Sequence, residues 1–148
     1  MEAPRQTLTQ RVVLVLSIAF IAVTALGFAA TGLHAGEMHA AGAGGAPAMV
    51  LGMFPTSIAH NLVHLIFGVW GLWASRHARR AVSYAFASGA IYLVLALVGM
   101  FVPNVFGLIP IGGLDIPLHA GIALVLIGAA FASLFASAGE PAEAVAGD

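Results

Sequence analysis

Four apolar stretches, at about 12–30, 56–75, 81–102 and 117–137, take up most of this 148-residue chain. A bilayer's hydrocarbon core needs roughly 20 apolar residues per helix, so each stretch has the length of one membrane span. In lipid every backbone N–H and C=O must find its partner within the protein, and separate runs of this length satisfy that as helices. The reading is an all-α fold, an integral-membrane four-helix bundle. Residues 1–11 precede the first span, 12–138 form the transmembrane domain, and 139–148 make a small-residue, acidic tail expected to be disordered. Composition agrees: 61% of residues are hydrophobic and 7% charged, against about 25% charged in soluble domains.

The arginines orient the spans. Arg5 and Arg11 lie before the first, and Arg76, Arg79 and Arg80 follow the second. With four spans all five fall on one side, and cytoplasmic loops collect positive charge. Both termini are therefore expected in the cytoplasm. A cleaved signal peptide fits less well, because the first apolar run is 19 residues, 12–30, and a secretory core is about 7–15. Trp70, Trp73, Tyr84 and Tyr92 are read as interface anchors near the arginine turn. There is no Lys for a P-loop or Schiff base, no Cys for a disulfide, thiolate or iron–sulfur site, and a net charge of −1 provides no basic patch for nucleic acid. The expected surroundings are the lipid bilayer. A homo-oligomer or a membrane-complex partner is left open by the many small residues.

A weak internal repeat recurs at an offset of 55 residues: Gly52, Pro55 and His64 match Gly107, Pro110 and His119. At the same offset His60 corresponds to Asp115. Each copy thus sets an ionisable residue four before a histidine, which places the pair on one helix face. Spans one plus two and three plus four then read as two parallel-repeat helical hairpins.

Ionisable groups in a bilayer are costly and turn inward toward partners. His60, Asn61, His64, Asp115 and His119 are accordingly expected as a buried polar network in the outer half. The blandest use is structural, with His60, Asn61 and His64 bonding across helices two and four and Asp115 capping helix four; the protein is then a structural or accessory membrane component. The alternative is ligation, since neutral imidazole is the usual nitrogen ligand. His64 and His119 suit the axial positions of a b-type haem, and His60, His64 and His119 suit a bare divalent metal such as Zn or Cu, with loop residues His34, Glu37 and His39 in reserve. A proton or solute pathway is a third reading, and only a partial one, because the inner halves of the spans offer no ionisable group. No catalytic residues are assigned: the zincin pattern needs Glu after the first histidine, where this chain has Asn61.

The run from Phe54 to Gly71 resembles a family of small bacterial four-helix membrane proteins catalogued as a domain of unknown function. Its pattern F-P-x-N-x-x-H-N-x-x-H-L-x-x-G-x-x-G is matched at His60, Asn61, His64, Leu65, Gly68 and Gly71, with Ser57 in place of the Asn. A second pattern, G-L-x-P-x-x-x-x-D-x-x-L-H, is matched at Gly107, Leu108, Pro110, Asp115, Leu118 and His119. The resemblance covers nearly the whole chain. It implies a multi-pass protein of the bacterial cytoplasmic (inner) membrane and supplies no activity, cofactor or substrate.

Overall fold

The computed structural model describes residues 6–31 and 48–138. His34, Glu37, His39 and the tail at 139–148 lie outside them. Four helices form: α1 (Leu8–Thr31), α2 (Ile58–Ala74), α3 (Ala78–Gly99) and α4 (Asp115–Ala138). Two short antiparallel hairpins join them, β1 (Ala48–Val50) with β2 (Phe54–Thr56) before α2, and β3 (Asn104–Val105) with β4 (Ile109–Pro110) before α4. Helices α1, α3 and α4 are long and apolar enough to cross a membrane; α2 has 17 residues, about 25 Å. The expected second span loses its first residues because Phe54–Thr56 is extended in β2 and Ser57 caps the helix.

Polar side chains are buried beside an apolar core, while many large aliphatic side chains face outward. On α1 the buried residues are Thr9, Val13, Ser17, Phe20, Thr24 and Gly27, a single face at steps of three and four. Val15, Ile18, Val23 and Leu26 are exposed. The buried hydroxyls are satisfied: Ser17 Oγ donates to the Val13 carbonyl at 2.6 Å, and Thr24 Oγ1 to that of Phe20 at 2.9 Å. Thr9 Oγ1 donates to the Ala129 carbonyl at 2.6 Å and ties α1 to α4.

The two hairpin linkers are built alike. In each, a β-turn closes with an N–H donating to the carbonyl three residues back at 3.1 Å, Met53 to Val50 and Leu108 to Val105. The central residues have positive φ in both, 54° and 69° at Leu51 and Gly52, 56° and 70° at Phe106 and Gly107. Glycine takes the second of these positions without penalty. The repeat in the sequence is therefore a repeat of turn geometry, with α1 packed on α2 in one copy and α3 on α4 in the other.

Glycine sets the closeness of both seams. A Cβ on Gly68 would stand 2.7 Å from Ile21 Cγ1 and 3.1 Å from the Ser17 carbonyl; one on Gly89 would stand 2.6 Å from Ile127 Cγ1 and 3.3 Å from the Ala123 carbonyl. The helix backbones thus meet almost without intervening side chain.

The aromatic residues divide. Trp73 is exposed, with the Arg80 guanidinium 4.3 Å from its ring centroid, as an interface position allows. Tyr84 and Tyr92, expected beside it, are core residues instead, 0% and 1% exposed. Tyr84 faces inward where Gly71 of α2 leaves room for its ring, since a Cβ there would stand 2.9 Å from Tyr84 Cζ; its hydroxyl donates to the Phe67 carbonyl at 3.0 Å.

Gly68→Ala is expected to lower stability in detergent by about 1–3 kcal/mol through overpacking. Gly121→Ala, whose Cβ meets nothing within 4 Å, is expected to hold or raise it by up to about 1 kcal/mol. Thermal or denaturant unfolding followed by circular dichroism distinguishes the two.

Candidate metal centre beneath the two hairpins

The start of α2 is fixed by Ser57. Its side chain accepts from the His60 N–H at 3.1 Å, the N-cap bond, and its hydroxyl donates to the Leu108 carbonyl in the turn of the second hairpin at 2.6 Å. One side chain thus caps the helix and ties the two linkers over the same end of the bundle. His60 follows in the first turn of α2 and His64 one turn deeper.

Asn61 has turned away from the histidines. Its Oδ1 accepts from Thr56 Oγ1 at 2.7 Å, its Nδ2 donates to Thr31 Oγ1 at 3.4 Å, and its carbonyl accepts from Thr24 Oγ1 at 3.3 Å. Of the expected network, then, Asn61 joins α2 to α1 and β2. His60, His64, Asp115 and His119 meet one another between α2 and α4, with Phe20 of α1 against His64.

The three imidazoles form a compact, buried group. His60 and His64 have ring centroids 4.5 Å apart, and His119 stands 6.0 and 6.5 Å from them. One ring nitrogen from each can be chosen so that all three lie within 4.8 Å of one another. Phe20 stacks on His64 at 5.6 Å and on Tyr92 at 5.3 Å, and Tyr92 lies 5.1 Å from His119. These rings from α1 and α3 wall the cluster. Neither stands out in the sequence: Phe20 is one phenylalanine among nine, and Tyr92 reads as an anchor. The one available signal for Tyr92 is its place eight residues after Tyr84 and four after Ser88, a buried polar face.

Asp115 does not cap α4 as expected. Leu118 N–H donates to the Leu114 carbonyl at 3.2 Å, so Leu114 holds the cap position and Asp115 is the first helical residue. A carboxylate there still favours the helix dipole. Its side chain is turned inward, with Oδ1 3.4 Å from His119 Nδ1. That same Nδ1 lies 2.8 Å from the Asp115 carbonyl oxygen. A carbonyl only accepts, so Nδ1 carries the hydrogen and the neutral ring keeps its lone pair on Nε2. Backing a histidine in this way is what orients a metal-binding imidazole.

The polar balance of the cluster is incomplete. His60 Nδ1, His64 Nδ1 and Asp115 Oδ2 are buried and have no hydrogen-bond partner among the described residues. Buried polar atoms are nearly always paired, so three in one place mark a site that expects something more.

Ser57→Ala is expected to cost about 1–2 kcal/mol, the cap plus one hydrogen bond, and Ser57→Asn to recover the cap share. Unfolding midpoints in detergent test this.

No curated protein and no solved structure matches the chain. A family model does, over residues 10–132, a range that includes both copies of this chain's turn, proline and histidine pattern. The chain belongs to the family described as domain of unknown function DUF4383.

Proposed function

We propose that this chain is a multi-pass protein of the bacterial cytoplasmic membrane that holds one divalent transition-metal ion on His60, His64 and His119. The carrying observation is the convergence of three buried histidine nitrogens within 4.8 Å. Tetrahedral Zn–N bonds of about 2.0–2.1 Å put nitrogens roughly 3.3 Å apart, so side-chain rotations of about an ångström complete the set. Three imidazoles suit Zn or Cu, and three protein ligands leave the fourth position open.

The competing uses of these residues fit less well. Interhelical bonding, the structural role expected of such histidines, falls here to Thr24 and Asn61, with Thr56 and Ser57 tying in the hairpins, while two histidine nitrogens lack partners among the described residues. A haem between His64 and His119 needs an open slot around the iron. His60 offers a nitrogen within 4.8 Å of both, which puts it in that slot.

The membrane part of the reading rests on the three long apolar helices and on charge. Arg11, at the start of α1, Arg76, between α2 and α3, and Arg79 and Arg80, in the first turn of α3, are at one end of the bundle, where Gln10 Nε2 donates to the Ser75 carbonyl at 3.0 Å. The same end holds the close of α4, since Thr9 Oγ1 and Ser133 Oγ are 2.6 Å apart. That end is the cytoplasmic one under the positive-inside rule, and the metal cluster is at the other.

Elemental analysis of the purified chain, after growth with Zn and Cu and after reconstitution, is expected to show one ion per protein. His64→Ala and His119→Ala should weaken binding at least tenfold, whereas Asn61→Ala should lose stability and keep the metal. Metal-free protein under both conditions would falsify the reading, and a Soret band would transfer it to haem.

Topology has its own test. The chain has no cysteine, so single substitutions report cleanly. A membrane-impermeant maleimide on intact cells is expected to label Phe106→Cys and to spare Gln6→Cys and His77→Cys. Labelling of all three from outside overturns the orientation.

A further inference from the structure

One cavity of about 250 Å³ reaches the histidine cluster from the side of the bundle. Its floor is His60, His64, Asp115 and His119, and apart from Thr56 every other residue lining it is apolar. The wall follows α1 from Leu16 to Leu26, about 15 Å of helix, with Leu118 and Ile122 of α4 facing it. Ala19, Val23, Leu26 and Leu118, with Leu51 of the first hairpin, are exposed at its rim. The opening is therefore lateral, between two helices, and is bordered by aliphatic side chains. In a membrane-embedded bundle such a mouth admits molecules dissolved in the hydrocarbon.

Size and chemistry narrow the occupant. A dry cavity of about 150 Å³ is enough for benzene, so this one takes a single substituted ring and leaves any tail outside. Phe20 and Phe54 offer aromatic walls for that ring. At the floor, Asp115 Oδ2 is buried without a partner among the described residues. A hydroxyl on the ring supplies the missing hydrogen bond. A carboxylate head or an ether has no hydrogen to donate to that oxygen.

We infer that this cavity binds a lipid-dissolved phenol or quinol, with its ring between α1 and the first hairpin and its hydroxyl donating to Asp115 Oδ2. The cavity shares its floor with the three nitrogen donors, but the hydrogen bond to Asp115 Oδ2 needs no metal ion, so the two readings can fail separately.

Native mass spectrometry of the full chain released from detergent resolves metal and ligand in one spectrum. With equimolar 4-nonylphenol a one-to-one adduct is expected; with 4-nonylanisole or decanoate its occupancy should be at least tenfold lower. Ala19→Trp fills the exposed rim without touching the core and should cut phenol occupancy at least fivefold. Asp115→Leu should do the same. Equal occupancy by all three probes, or wild-type binding by Ala19→Trp, overturns the inference. An adduct on metal-free chain retains it and removes the metal reading; metal without an adduct does the reverse.

Discussion

Asn61 has no exposed surface and stands where α1, α2 and the first hairpin meet. Thr56 and Thr31 bond to its side chain and Thr24 to its carbonyl, while Gly27 leaves the room it occupies, since a Cβ there would collide with the amide. Removing any one partner from so enclosed an amide strands a buried dipole, which costs more than the bond itself returned. The amide therefore fixes the rotation of α2 about its own axis. His60 precedes it by one residue and His64 follows by three; with Asn61 held toward α1, His64 lies about 60° and His60 about 100° around the axis, which sets His64 against Phe20 and both imidazoles near His119 of α4. Asn61 itself takes no part in the cluster, because its side chain is bonded to Thr56 and Thr31.

The repeat supplies the rest of the cluster in an unequal way. Equivalent turns deliver His64 and His119 to matching places on α2 and α4, but the residue one turn before each differs, His60 in one copy and Asp115 in the other. A symmetric pair would have given two bonded histidines or two crowded carboxylates. The unequal pair provides three nitrogens together with a main-chain carbonyl and a carboxyl that hold one imidazole in a defined tautomer. Phe20 and Tyr92 stack across the base and keep the rings from turning aside.

Much of this architecture is legible in the order of the residues. The four helices, the arginine end and the pairing of His60, His64, Asp115 and His119 follow from apolar run length, charge position and spacing. The hairpins read only as loops, because strands of two or three residues carry no periodicity to detect; the turns at Leu51–Gly52 and Phe106–Gly107 show themselves only in their dihedral angles. The anchor reading of Tyr84 and Tyr92 fails for a related reason. An aromatic residue near a charged turn and one in a core have the same composition around them, and only the neighbouring helix decides whether the ring is covered.

By itself the sequence determined that the polar side chains on these helices must be buried and which helices carry them, since apolar surroundings give imidazole, amide and carboxyl groups no other means of satisfying their hydrogen bonds. The tertiary structure alone decided which of them meet. Asn61 and His60 are adjacent in the chain and about 100° apart around the helix axis at about 3.6 residues per turn, so they serve different contacts. That division depends on where Gly27, Thr24 and Thr31 stand on α1, a matter of packing between helices that no single helix encodes.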